Sequence, residues 1–590
     1  MLKLLSIIVT LSSFASLTAS AGLSTSLTVT KACQSGEIWG GTEKLPKWLG
    51  KYQDFVDSKS SPLYSFSEAV HLKRLSDLMT KSDFEHDFSE FWVGRILFQM
   101  KLDPIAHTVF QSILDNSPTT AIKKAAFGCM AEIQKRSPEW NMPTTGIANL
   151  PLDASDADAI FLLALKTKTV YQKLLPANHE AFVTGFQGIQ NKKYSEAAEA
   201  LGRFVNSPTA HTDTFLSKYM DEAQLLLGHA LYSVARFKEA TEHFQKVSKT
   251  SNLQIDALND LSWSYFLSGQ SDEAIGISLQ LRSGALRHTF SPEPTMVAAM
   301  ALNELCSYPD SIRMIKAFVS EYAKSYEYLS THTKDEALYT QLLKVLKSKT
   351  DVPTKVATEW MRDPTFLSSQ EEINHLLGQP QKLVSLQKNG ANEQDVLTAK
   401  FIERAQNFVK SVRTAKLKLK PGEELAESYG DQLIQLKRDL RGLTHFYKAS
   451  KIWRNLAKNY EKKLPSYREK LVAKINHALL KRDAQMLSLL NKVHENTDLI
   501  EVEIYDGASQ DLIWKNAHPD YEKMTEKWNG KTEDEETASA KVWNWGRFLA
   551  SDIENAEIWE DELGALKADT TNQCGKKEKY LQVKVANRAK

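Results

Sequence analysis

The sequence predicts an all-α chain in which stacked helical hairpins are followed by long helices, and three observations predict it. Only 25 glycines and 18 prolines punctuate 590 residues, too few for the frequent turns of an all-β chain of this length. Apolar residues recur at three- and four-residue spacing from Leu433 to Val493. Whole sets of small and apolar residues also recur 34 positions apart, the mark of a repeat architecture. The length exceeds that of one domain, so an extended array or several folding units is expected. A hydrophobic fraction of 42% with 25% charged residues suits an ordered chain. The net charge of +1 supplies no field for nucleic acid, which is not an expected partner.

Taken in order, the first element is a secretory leader over residues 1–21. Lys3 precedes the apolar run Leu4 to Leu17, and Ala19-Ser20-Ala21 supplies the small-x-small cleavage pattern. The run is too short to span a bilayer, and no later stretch approaches 18 unbroken apolar residues, so no membrane span is expected. Lipidation needs a cysteine directly after the apolar core, but the first is Cys33, so the chain is not read as a lipoprotein. No Asn is followed by x-Ser or x-Thr, which favours a bacterial periplasm over a eukaryotic secretory route. Cys129 and Cys306 sit among apolar neighbours in helical stretches and read as small buried hydrophobes. Cys33 and Cys574, near the two ends, are the candidate disulfide. Residues 22–85 read as an N-terminal helical cap.

Residues 86–328 carry the repeat. Leu227, Gly228, Leu231, Ala240, Phe244 and Val247 occupy positions 7, 8, 11, 20, 24 and 27 of a helical hairpin. Small residues at 8 and 20 let the two helices approach, and the larger ones fill the space between neighbouring hairpins. One repeat further on stand Leu261, Ser262, Tyr265, Ala274, Ser278 and Leu281, of which only Ser278 fits poorly. Upstream, Gly185, Ala197, Leu201 and Phe204 repeat the set, as do Gly94, Ala106, Phe110 and Ile113. Gly128 stands one repeat length after Gly94, and Ala299 with Leu302 marks a degenerate unit. This is the tetratricopeptide pattern, so a helical-hairpin solenoid is expected, with Gly94, Ala106, Gly128, Gly185, Ala197, Gly228, Ala240, Ser262, Ala274 and Ala299 as packing residues.

Beyond the array, residues 329–430 read as a connector of short helices broken at Pro353, Pro364, Pro380 and Asn389-Gly390, with a linker near Lys416 to Gly422. Residues 431–505 read as an amphipathic long-helix, coiled-coil-like region. Leu433, Leu436, Leu440, Leu443 and Tyr447 form a short heptad seam, and Pro465 is a break. Hairpins within one chain are favoured over a dimeric coiled coil. Residues 401–500 hold 21 Lys and Arg against 11 Asp and Glu, whereas 501–570 hold 7 against 18. The basic section is open to three readings: solvated faces, folding back on the acidic one, or meeting an acidic partner. Leu499 to Tyr505 is open to strand or helix. Residues 506–590 form a Trp-rich C-terminal helical region with a basic tail, itself open to strand or disorder. Its aromatics Trp543, Trp545, Phe548 and Trp559 are either a small core or a partner-docking patch.

Catalytic motifs fail when tested residue by residue. His179-Glu180 and His494-Glu495 begin zincin-like patterns, but Val183 and Asp498 stand where the second histidine belongs. Gly530-Lys531-Thr532 ends like a P-loop, but Thr525 replaces its first glycine. Gly507-Ala508-Ser509-Gln510-Asp511 lacks the second glycine of a nucleophile elbow. No enzyme, metal or cofactor is expected.

Two stretches carry a family resemblance. Ser291 to Tyr308, and Trp559-Glu-Asp-Glu-Leu-Gly564 followed by Cys574, resemble segments of delta-proteobacterial periplasmic repeat proteins of the gliding-motility and envelope-complex type. Ala565-Leu566 departs from the aromatic residues of that family. The resemblance implies a periplasmic scaffold in a multiprotein envelope complex of the gliding-motility kind, with other envelope subunits as partners. The alternatives are a periplasmic chaperone or peptide receptor, and a cell-wall enzyme or activator acting through residues 430–590. The oligomeric state is not set by the sequence.

Overall fold

The computed structural model describes residues 83–525, with short gaps at 138–139, 141, 144, 148, 168–169, 333–336, 348–350 and 421–426. It also describes 542–544, 567–588, Cys33, Phe66, Ala69, Val70 and Lys73. The expected leader and most of the expected cap lie outside these residues. The described chain is all-α apart from one small ladder, in which β1 (Val542–Asn544) pairs in parallel with β2 (Lys567–Asp569).

Helices pack in chain order. α1 (Asp83–Gln99) meets α2 (Asp103–Asn116), followed by α3 (Thr120–Arg136) and α4 (Ala157–Ala164). Then come α5 (Ala177–Gln190), α6 (Tyr194–Val205), α7 (Met220–Ser233), α8 (Phe237–Phe244), α9 (Gln254–Leu267), α10 (Ser271–Leu281), α11 (Glu293–Glu304) and α12 (Tyr308–His332), each against the next.

Five of the connections are the same turn. Lys101, Lys192, Ala235, Gly269 and Cys306 each adopt a left-handed φ between 55 and 80°. In each, the following N–H donates to the carbonyl five residues back, as from Arg236 to Leu231 at 2.9 Å and from Gln270 to Tyr265 at 2.9 Å. This is the Schellman ending of a helix, which satisfies its last carbonyls while reversing the chain. Each left-handed residue stands seven positions after Gly94, Gly185, Gly228, Ser262 or Ala299. The small residues admit the opposing helix. A Cβ on Gly228 would lie 2.4 Å from the Phe244 ring, one on Gly185 2.4 Å from Leu201, and one on Gly94 2.7 Å from Phe110. The offset along the chain from glycine to partner is the same in all three.

The unit expected at Gly128 differs. Gly128 is buried, but α3 runs on through Lys135, seven residues later, and among the described residues no helix of the array follows until α4. Pro138, Pro143 and Pro151 occupy the interval where the second helix of a hairpin would form, and proline lacks the N–H that a helix interior needs.

After α13 (Leu338–Val345) and α14 (Thr354–Arg362), the expected string of short helices is instead one 55-residue helix, α15 (Pro364–Lys418). Asp363 caps it by accepting from the Phe366 N–H at 2.9 Å, with Pro364 in the first turn. Pro380 and Asn389-Gly390 lie inside it without ending it. The 91-residue α16 (Glu427–Ala517) likewise continues through Pro465 and through Leu499 to Tyr505, which is helix and not strand. At 1.5 Å per residue α16 is about 135 Å long. Of the expected linker, Lys416 to Lys418 belong to α15 and residues 421–422 lie outside the described residues. The two long helices run antiparallel, with Arg404 bonded to Asp439 and Trp453 to the Leu383 carbonyl.

One stripe of α16 covers the end of the array. Leu471, Ile475, Leu479, Met486, Leu490, Val493, Ile500 and Ile504 are buried, and α11, α12, α13 and α14 pack against this helix. Asp483 accepts from the Trp360 indole at 2.6 Å, and Glu359 is held between Arg362 and Arg482. The chain closes with α17 (Tyr521–Thr525) and α18 (Gln573–Arg588).

Candidate functional site

The long helix pair presents the chain's most distinctive surface. From residue 391 to 445 no described residue is fully buried, so this distal arm has no core of its own. Of the expected heptad seam, Leu433 is 41%, Leu440 51% and Tyr447 61% exposed, while Leu436 and Leu443 are half-buried. The two helices therefore meet along a narrow line and leave apolar flanks open. On α15, Ile402, Val409 and Leu417 are exposed, and with Phe401, Lys410 and Arg413 they line a shallow groove of about 490 Å³. Residues 400–420 hold seven Lys and Arg against one acid, Glu403.

A second open face lies at the far end of α16. Its inner stripe of Val493, Ile500 and Ile504 is buried, yet Leu499, Val502, Tyr505, Leu512 and Ile513 on the outer side are 55–71% exposed. A helix apolar on both sides is ordinarily buried on both. Residues 493–514 hold six carboxylates and no Lys or Arg. The alternation of Ile500-Glu-Val-Glu-Ile-Tyr505 left the segment open to strand or helix, and it is the helix that turns Ile500 and Ile504 inward and Val502 out to solvent.

The C-terminal segment clasps the array beside this face. Gln573 N–H donates to the Leu305 carbonyl at 2.9 Å, Thr570 bonds Asp272, and β2 packs on α10. Every residue of α10 from Ala274 to Leu281 is consequently buried, the ill-fitting Ser278 included. Tyr580 of α18 stacks edge-on against Trp514, His518 and Tyr521, and its hydroxyl donates to Asp520 at 2.5 Å. Lys577 pairs with Asp511.

This chain matches no protein-family model, no curated protein and no solved structure.

The structure corrects the cysteine reading. Cys33 bonds Cys129 and Cys306 bonds Cys574, with Cα atoms 5.2 and 5.3 Å apart, so Cys33 does not pair with Cys574 and all four thiols are used. The first bond ties the N-terminal segment to α3, and Phe66 of that segment packs edge-on against Trp453 at 4.9 Å. The ten expected packing residues Gly94, Ala106, Gly128, Gly185, Ala197, Gly228, Ala240, Ser262, Ala274 and Ala299 are all buried. Trp543 belongs to β1, and Trp545, Phe548 and Trp559 lie outside the described residues. The aromatic cluster that the structure does show joins Trp514, His518 and Tyr521 to Tyr580, and it was missed because Tyr580 lies far along the chain from the other three.

His179, one start of a failed zincin pattern, is structural. Its Nε2 lies 3.0 Å from Asp158, which also takes a 2.5 Å hydrogen bond from Lys135. Burial pushes the Asp158 carboxyl up, but the bonds from His179 and Lys135 outweigh it and hold it below the usual carboxylate value. Among the described residues no three or more His, Cys, Asp or Glu group as metal ligands, and no helix is long and apolar enough to cross a membrane.

Proposed function

We propose that the chain is an exported, non-enzymatic scaffold that holds other proteins in a multiprotein cell-envelope complex, of the gliding-motility type that the resemblance implies. The observation that carries this reading is the distal arm. The paired helical stretches 391–418 and 427–445, with no buried side chain among their described residues, cost ordering entropy and bury little in return, unless another protein covers them.

The five equivalent turns and the glycines seven residues before three of them support a tetratricopeptide-type solenoid as the platform for this arm. The two disulfides support export, because such bonds persist in oxidising compartments.

The test is cross-linked affinity purification of the tagged chain from its native envelope, beside a variant in which residues 391–447 are replaced by a short Gly-Ser turn. A few envelope proteins at comparable abundance, lost with the arm, are expected. A diffuse set of exported clients held equally by both would favour a chaperone.

A further inference from the structure

The two open faces of the long helices are complementary. The groove on α15 spans residues 401 to 417 and sits in a segment with seven basic residues and one acid. The outer face of α16 spans Leu499 to Ile513, in a segment with six acids and no base. Seventeen and fifteen residues of helix are about 25 and 22 Å long, so the surfaces match in length. Each offers apolar side chains among charges of one sign. Ile402, Val409 and Leu417 lie beside Lys410 and Arg413, and Val502 and Leu512 share a helical face with Asp498 and Asp506.

They do not meet within one molecule. Arg404 is bonded to Asp439, which places the groove beside the first turns of α16. From Ile434 to Asp506 the helix is continuous, a distance of about 110 Å. Opposite charges at the two ends of a stiff rod find each other only between molecules.

We infer that the basic groove of one copy takes the acidic outer face of α16 from a second copy, giving a head-to-tail assembly. The contact is heterologous, since each copy keeps one free face of each kind, so it propagates to a ring or an open filament. This rests on the scaffold reading and names a second copy of the chain as one of the partners held.

The experiment is sedimentation of the oxidised mature chain over a range of concentrations and salt. Assembly that grows with concentration and weakens with ionic strength is expected. The reversals Lys410→Glu with Arg413→Glu, and separately Asp498→Lys with Asp506→Lys, should each leave monomers. All four sites are exposed, and circular dichroism checks the fold of each variant. Combining the four reversals should restore assembly, and mixing the two double variants should too.

A wild type monomeric at every concentration overturns the inference. So does assembly that the Asp498 and Asp506 reversals leave intact. Vesicles of phosphatidylglycerol and phosphatidylethanolamine test the other claimant to a basic apolar groove. Binding that needs Lys410 and Arg413, from a chain that stays monomeric, assigns the groove to lipid instead. Failure here leaves the scaffold reading standing if defined envelope partners are still captured by affinity purification, and both fall if none are.

Discussion

Gly228 and Ala235 sit seven residues apart in one hairpin and respond oppositely to a single methyl group. Gly228 faces the buried ring of Phe244, and a Cβ there would lie 2.4 Å from it, so either the ring or a helix must move. Gly228→Ala is expected to destabilise the array by about 1–3 kcal/mol, as overpacking does, read as a lower urea midpoint. Ala235 is exposed and left-handed at φ 61°, where its own Cβ crowds the backbone. Ala235→Gly should raise stability by up to about 1 kcal/mol once the added freedom of the unfolded chain is counted, read as a higher urea midpoint. A loss of stability on Ala235→Gly would mean that the turn is not left-handed in solution. Asp158 adds a pH term. Its folded-state carboxyl is held below the ordinary value of 3.8, so the unfolded chain binds the proton more readily. The stability it contributes is fully present above about pH 4 and is lost as pH falls through the lower folded value. Asp158→Asn is therefore expected to lower the midpoint at pH 7 and to differ less from wild type at pH 3. An equal deficit at both would assign the loss to packing.

At the scale of elements, what could be read in advance were contacts between neighbours in the chain. Gly94, Gly185 and Gly228 recur in the sequence because each is forced by the partner helix of its own hairpin, which follows directly in the chain. The turns were less legible, because four of five left-handed positions carry Lys, Ala or Cys in place of the glycine that usually signals them. Pro380 and Pro465 read as breaks, since a proline removes one helical hydrogen bond, but packing between α15 and α16 keeps both helices continuous. The disulfides could not be paired from spacing, because Cys574 reaches Cys306 only after the chain has travelled up and down both long helices. That bond closes 268 residues and on a chain-entropy account contributes roughly 5 kcal/mol. Cys574→Ala is expected to free α18 and open Lys576 and Lys577 to trypsin while the array, still tied by Cys33–Cys129, stays resistant. Unchanged cleavage would mean that β2 and the ring cluster at Tyr580 hold the segment without the bond.

At the scale of the whole molecule, charge asymmetry was visible in composition but not its geometry. The counts for 401–500 and 501–570 allow folding back, whereas α16 is continuous through that boundary and holds its own acidic end, residues 495–511, far along the rod from the basic residues at its start. Most of the acids of 501–570 lie outside the described residues. The same continuity sets the size of the particle. A 91-residue helix requires a maximum dimension of at least about 135 Å, far beyond that of a compact 590-residue chain, and small-angle X-ray scattering of the monomer reads it directly. Replacing residues 391–447 by a short Gly-Ser turn rejoins α15 and α16 near Gly390 and Lys448, which lie across from each other in the antiparallel pair. That variant loses more than five turns from each helix, so its longest dimension should fall by about 30–40 Å. Its thermal midpoint should stay close to that of the full chain, because the deleted arm holds just one buried side chain, Phe446, among its described residues. An unchanged dimension would mean that the arm lies folded along the array in solution. A collapsed midpoint would mean that the arm supports the core, and its bare surface would then no longer argue for a partner.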